Sequence, residues 1–156
     1  LPIMCIGTKD LVIAASNDGI LISEKSNSEN IKKYADRLQC CPMYEERHWG
    51  EYKIIHNVQY SDGFQSLTKQ LIIKAGKSLT YQANNLRKEV WTVVDGEGLL
   101  AIEGKITPVK QGDTVCILQD MRHGLKAIND LTLIETQTGS DLLEDDVELF
   151  DCNWQK

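Results

Sequence analysis

Six residues of this chain carry side chains able to do chemistry, and they sit at spacings that suggest one site. A first segment runs Gly76, five residues, Gln82-Ala83-Asn84, four residues, Glu89, six residues, Gly96. A second runs Gly112, ten residues, His123. Alternate residues of a strand face the same side, so Gln82 and Asn84 share a face if this segment is extended. A carboxylate and an imidazole, here Glu89 and His123, suit a borderline transition metal. Arg87 offers a planar fork for a phosphate, and Lys69 is a second candidate cation. Each residue also has a plain structural reading. His123 reads equally as a satisfied histidine, and Glu89 as a buried acid paired with Arg87 or a surface residue. Arg87 reads as a surface salt-bridge partner, and Lys69 as a solvated strand residue. Gln82 and Asn84 read as inward polar residues of a water-filled barrel.

The elements that must position these residues are mostly strands. Alternating or apolar runs at 51–55, 65–74, 79–82, 90–94, 99–102, 105–109, 114–118, 124–128 and 131–136 are separated by Gly, Asp and Asn, the spacing of a sandwich or barrel. His48 and Trp49 are expected to pack where the barrel begins, His56 to lie in a loop, and Asp113 to sit in a turn. Residues 141–151 are expected to cross the barrel as a short turn or helix. Ahead of the barrel, residues 3–24 read as short strands, with Asn17-Asp18-Gly19 turning a hairpin. Ser26 and Glu29 form a capping-box pattern, followed by Ile31, Tyr34, Ala35 and Leu38 on one helical face. Cys40-Cys41-Pro42 is expected to end that helix. The expected organisation is therefore a mainly β chain: a hairpin-plus-helix appendage over 1–40 and a jelly-roll barrel over 44–151.

The glycine-anchored segments resemble the two motifs of the cupin superfamily, in which two histidines, a glutamate and a later histidine hold a divalent metal inside a double-stranded β-helix. The segment from Gln82 to Trp91 resembles the Gln-x-His-x-His-Arg-x-Glu-x-Trp of type II phosphomannose isomerases. These are the C-terminal cupin regions of the mannose-1-phosphate guanylyltransferase/mannose-6-phosphate isomerase family. Arg47-His48-Trp49-Gly50, Lys74-Ala75-Gly76-Lys77-Ser78-Leu79 and the tail from Gly139 to Val147 are similar to three further segments of that region. Residues 1–40 resemble the end of the nucleotidyltransferase region that precedes it. The resemblance implies a metal set of Gln82, Asn84, Glu89 and His123, and a sugar-phosphate site using Arg87 and Lys69. It also implies a homodimer formed through the barrel, and a place in GDP-mannose and surface-polysaccharide synthesis.

The departures shape that expectation. Asn84 stands where the family has a metal-binding histidine, and Leu86 replaces the next one. Leu118 and Asp120 replace the proline and glycine of the second motif, and Ala127 its asparagine. The site is thus expected to hold zinc, manganese or cobalt weakly, or no metal. The leading reading is a degraded metal site with a sugar-phosphate-binding, regulatory or assembly role. The alternatives are an active isomerase with an atypical metal shell, or a purely structural module.

Composition narrows the classes. The chain has 156 residues, 42% hydrophobic and 26% charged, enough to bury a core. Its net charge is −6, and there is no basic run, which argues against a nucleic-acid partner. No apolar stretch approaches the length of a membrane-spanning helix. The apolar start is too short for a signal peptide and reads as the cut end of a longer chain. Five cysteines in no CxxC pair fit reduced thiols and a cytoplasmic location.

Overall fold

The computed structural model describes residues 3–16, 18–36, 42–142 and 146–154. The chain divides into two compact units, Leu1–Met43 and Tyr44–Lys156.

In the first unit, β1 (Leu11–Ala15) and β2 (Ile20–Glu24) form the expected antiparallel hairpin, closed by Ala15 opposite Ile20 and by a Ser16 N–H bond to the Gly19 carbonyl at 2.9 Å. Residues 3–10 form no strand, which corrects the expectation there. The helix also differs. Lys25–Asn30 is a 3₁₀ turn, and only Ile31–Ala35 (α1) is α-helical. The capping box does not form: Ser26 Oγ bonds back to Glu24 Oε2 at 3.2 Å. The run Ser26-Asn27-Ser28 explains this, because such side chains compete for the backbone and favour turns over helix interiors. Leu38, Cys40 and Cys41 lie outside the described residues.

The second unit consists of two antiparallel sheets. One has the order β10 (Thr114–Ile117), β7 (Arg87–Asp95), β12 (Leu131–Gly139), β5 (Gln65–Ile73), β4 (Gly50–Gln59), β3 (Tyr44–Arg47). The other has the order β13 (Val147–Leu149), β6 (Gln82–Asn84), β11 (His123–Ala127), β8 (Glu97–Ile102), β9 (Lys105–Lys110). Strands adjacent in sequence often belong to different sheets, as in a jelly roll.

Three strands set up the interior. Along β12, Leu131, Leu133, Glu135, Gln137 and Gly139 are buried and alternate with half-buried residues. The same parity buries Arg87, Glu89, Trp91 and Val93 on β7, and Leu67, Lys69, Leu71 and Ile73 on β5. Leu133 pairs with Val93 and Leu71, while Glu135 pairs with Trp91 and Lys69, and Gln137 with Glu89. One end of the barrel is thus apolar and the other polar, on the same inward face. Gly139 sits opposite Arg87, and a Cβ there would lie 2.5 Å from the Leu86 carbonyl oxygen, so only glycine lets the two strands close at this point.

Four further expectations are corrected. His56 belongs to β4, at a bulge after Ile54, because the strand continues past the alternating run. The tail contains strand β13, with Val147 opposite Asn84 and Leu149 opposite Gln82, because the short β6 needs a second partner. The strand expected at 79–82 begins only at Gln82, and Ser78 makes an isolated bridge to Lys126. The strand expected from Val90 already starts at Arg87.

Candidate functional site at the polar end of the barrel

The polar end encloses a cavity of about 250 Å³, lined among others by Arg47, Lys69, Gln82, Arg87, Glu89, His123 and Glu135. Glu89, on β7, lines it and is only 1% exposed. Its Oε1 accepts from Asn84 Nδ2 at 2.7 Å, from Arg87 Nε at 3.1 Å and from Gln137 Nε2 at 3.4 Å. Its Oε2 accepts from Trp91 Nε1 at 2.9 Å. Arg87 also reaches Asn84, with Nη2 donating to Oδ1 at 2.9 Å, and Gln82 Nε2 donates to the same oxygen at 3.3 Å. Four of the candidate site residues are thereby joined in one hydrogen-bonded cluster.

His123 opens β11 directly opposite Gln82. Asp120 takes the left-handed conformation, φ 62°, that glycine favours, which Asp tolerates better than most residues. His123 Nδ1 lies 2.8 Å from the Met121 carbonyl oxygen, which can only accept, so Nδ1 carries the hydrogen. Nε2 then faces Glu89 Oε2 at 3.5 Å. It is buried and has no hydrogen-bond partner. The ring stands edge-on to Trp91, with centroids 5.2 Å apart.

The plain readings of the two cations are corrected. Arg87 is buried and ion-paired to Glu89 inside the barrel, not at the surface. Lys69 is buried with Nζ 4.7 Å from the centre of the Tyr52 ring, not solvated. Both line the cavity, as do His48 and Trp49 from the β3–β4 turn. Leu86 is 42% exposed, because β6 stops at Asn84 and residues 85–86 bend, with the Leu86 N–H held by Asp146 Oδ2 at 2.7 Å. The second histidine position of the motif therefore does not point into the barrel.

Glu135, Gln137 and Trp91 complete the site and were not singled out by sequence reasoning. The period of two shared with Leu131 and Leu133 could have found Glu135 and Gln137. Trp91 shares its one indole hydrogen between Glu89 Oε2 and Glu135 Oε1, the latter at 3.1 Å. Burial, followed by the charge of Glu89, pushes the Glu135 carboxyl up to about 8, with Lys69 opposing. Burial also acts to raise Glu89, but the neighbouring His123 and Arg87 outweigh it and hold this carboxyl well below the usual range. Two carboxylates in one pocket thus take opposite protonation states near neutrality.

The donor set does not fit a divalent metal. Among the described residues no group of three or more His, Cys, Asp and Glu side chains is arranged to hold one. The Asn84 oxygen already takes two donors, and both Glu89 oxygens are engaged. Of the expected set only His123 Nε2 and the weakly donating amide oxygen of Gln82 remain, where zinc sites use three or four ligands.

A family model described as the C-terminal region of mannose-6-phosphate isomerase matches residues 37–152. The chain is 30% identical over 154 residues to a mannose-1-phosphate guanylyltransferase of Escherichia coli K12, covering 93% of this chain and 31% of that protein. It is 25% identical over 158 residues to the xanthan biosynthesis protein XanB of Xanthomonas campestris pv. campestris, covering 96% of this chain and 33% of that one. The chain therefore spans about a third of the length of these curated relatives. In fold it is similar to an RmlC-like cupin of Shewanella frigidimarina, with a TM-score of 0.56 and 19% identity over 65% of this chain and 86% of that one. The barrel has the cupin fold, and the chain belongs to the family of mannose-6-phosphate isomerase C-terminal domains.

Proposed function

We propose that this chain is the cupin region of a guanylyltransferase/isomerase-type protein of GDP-mannose and surface-polysaccharide synthesis. In this reading residues 1–40 are the end of a nucleotidyltransferase region. The barrel binds a sugar phosphate in a regulatory or assembly role, with its metal site degraded. The observation that carries the reading is His123 Nε2, buried, without a hydrogen-bond partner, and on the wall of a polar cavity that Arg47, Lys69 and Arg87 also line. A sugar hydroxyl both donates and accepts, so it satisfies this nitrogen in either protonation state. A phosphate group is matched by the guanidinium forks and the lysine.

The same reading places the protein in the cytoplasm, as a homodimer formed through the barrel. Cys5 and Cys116 are free thiols, in keeping with a reducing compartment. No helix among the described residues is long and apolar enough to cross a membrane.

The test is calorimetry with mannose 6-phosphate, mannose and inorganic phosphate, each in the presence of chelator. Saturable binding of the sugar phosphate, weakened at least about tenfold in His123→Ala, supports the reading. Equal, non-saturable heats for all three ligands would refute it.

A second reading, an active isomerase, has one observation in its favour. Glu135 retains a proton near neutrality and lines the same cavity as His123, an arrangement able to move a proton between adjacent carbons. A coupled mannose-6-phosphate isomerase assay separates the readings.

A further inference from the structure

We infer that the guanidinium of Arg87, fastened by Asn84, is the resident cation of this cupin site and stands in for a divalent metal. The inference deepens the proposed function and rests on it in one respect, that the barrel interior is the ligand site.

Asn84 is what makes the arrangement possible. Its two amide ends do opposite jobs. Oδ1 accepts from Arg87 Nη2 at 2.9 Å, while Nδ2 donates to Glu89 Oε1 at 2.7 Å. Arg87 Nε donates to that same Glu89 oxygen at 3.1 Å. Arg87, Asn84 and Glu89 thus form a closed triangle of buried groups, each at most 4% exposed. A histidine at 84 could not close it. An imidazole nitrogen that ligates a metal has no lone pair left to accept from a guanidinium, and the ring has no second acceptor once its other nitrogen carries hydrogen.

The charge arithmetic agrees with the geometry. A buried carboxylate needs a cation close by. Arg87 supplies one, with Nε 3.1 Å from Glu89 Oε1. The triangle leaves His123 Nε2 as the one buried side-chain nitrogen or oxygen without a hydrogen bond among the described residues. That atom is thereby kept for the ligand itself. The ligand is engaged directly by hydrogen bonds, with no metal between.

The experiment uses the tag-free chain and three metal probes, zinc, manganese and cobalt. The unmodified protein is titrated with each, and metal content is measured after dialysis while the His123 ring signals are followed by NMR. We expect less than about a tenth of an equivalent of metal and unmoved ring signals. Stoichiometric uptake at micromolar zinc with a shifted His123 ring would overturn the inference.

The complementary arm is chemical rescue. Arg87→Ala should be destabilised, and about 20 mM methylguanidinium should raise its Tm by several degrees, while equimolar potassium chloride leaves it unchanged. The unmodified chain should respond to neither. A folded Arg87→Ala protein as stable as the original, or one indifferent to methylguanidinium, would overturn the inference. Should Arg87→Ala not fold, Asn84→His decides. Releasing the guanidinium and adding an imidazole should tighten zinc binding at least about tenfold, and no gain would count against the idea. Failure of mannose 6-phosphate to bind in chelator, with the metal results as expected, would overturn the sugar-phosphate reading and leave this inference standing.

Discussion

Glu89 and Glu135 are tied together by a single hydrogen, the indole N–H of Trp91, at 2.9 and 3.1 Å. Both carboxyls are buried, and their protonation equilibria are pushed in opposite directions. The pair therefore gives the fold a pH dependence of definite sign.

In the folded protein Glu135 keeps its proton up to about pH 8, while in the unfolded chain it loses it near the ordinary carboxyl value. Between those limits the folded state binds more protons, so stability falls as pH rises through this window and levels off above it. Glu89 acts oppositely: its stabilisation is present above the ordinary carboxyl value and is lost on acidification below it. Glu135→Gln, which mimics the protonated acid, should abolish most of the loss between pH 5 and 8, on the order of 3 kcal/mol. Urea denaturation at pH 5, 7 and 9 measures this, and an unchanged slope in the variant would count against the assignment.

Trp91→Phe keeps the ring but removes the shared hydrogen. Two buried carboxyl oxygens then lose a donor, at a cost of about 2–3 kcal/mol. The cost should shrink when Glu135→Gln is already present, because the amide introduces a donor of its own. A double-mutant cycle by chemical denaturation reads the coupling, and strict additivity would show that the tryptophan does not link the two acids.

Two arginine pairs in the same barrel should differ sharply. Arg87→Met leaves Glu89 charged and buried without its partner, a loss of about 3–5 kcal/mol. Arg122–Glu103, at 3.1 Å but nearly half exposed, should contribute no more than about 1 kcal/mol when Arg122 is cut to alanine. Thermal and urea unfolding of the two variants side by side provide the comparison, and equal losses would contradict the burial argument.

Only one of the two replaced histidine positions should matter for metal. Asn84 is buried within the cluster, whereas Leu86 is 42% exposed beside Asp146. Asn84→His should gain a chelator-sensitive thermal shift with zinc, and Leu86→His should gain none. In a coupled assay the unmodified chain should show at most trace isomerase turnover. Robust turnover there would favour the active-enzyme reading.

Much of this site was legible because the glycine spacings of cupin-like segments are tied to strand geometry. Gln82, Asn84, Glu89 and His123 occupy one neighbourhood, as those spacings suggest. Leu86 was not legible, because its outward turn depends on a bend closed by Asp146, some sixty residues away. Glu135 and Gln137 were hidden by their polarity: on an otherwise apolar alternation they look like interruptions, yet they keep the inward parity of Leu131 and Leu133. Strand β13 has too few residues to show a pattern and exists through its partner β6. The 3₁₀ turn at 25–30 was misread because a capping pattern says where a helix can start, not whether serine and asparagine will sustain it.

The split of the inward face into an apolar end and a polar end has an evolutionary consequence. Leu131, Leu133, Val93 and Leu71 interlock away from Glu89, Arg87 and Glu135, although the same strands carry both groups. Mutations at the polar end can rewrite what the barrel recognises and leave the apolar packing at the other end in place, though they cost the buried pairs they break. A lineage can lose a metal ligand, acquire a new hydrogen-bonding partner, and still inherit a sound scaffold. Such a barrel is free to drift between catalyst and receptor, because its chemistry and its architecture are written on different stretches of the same strands.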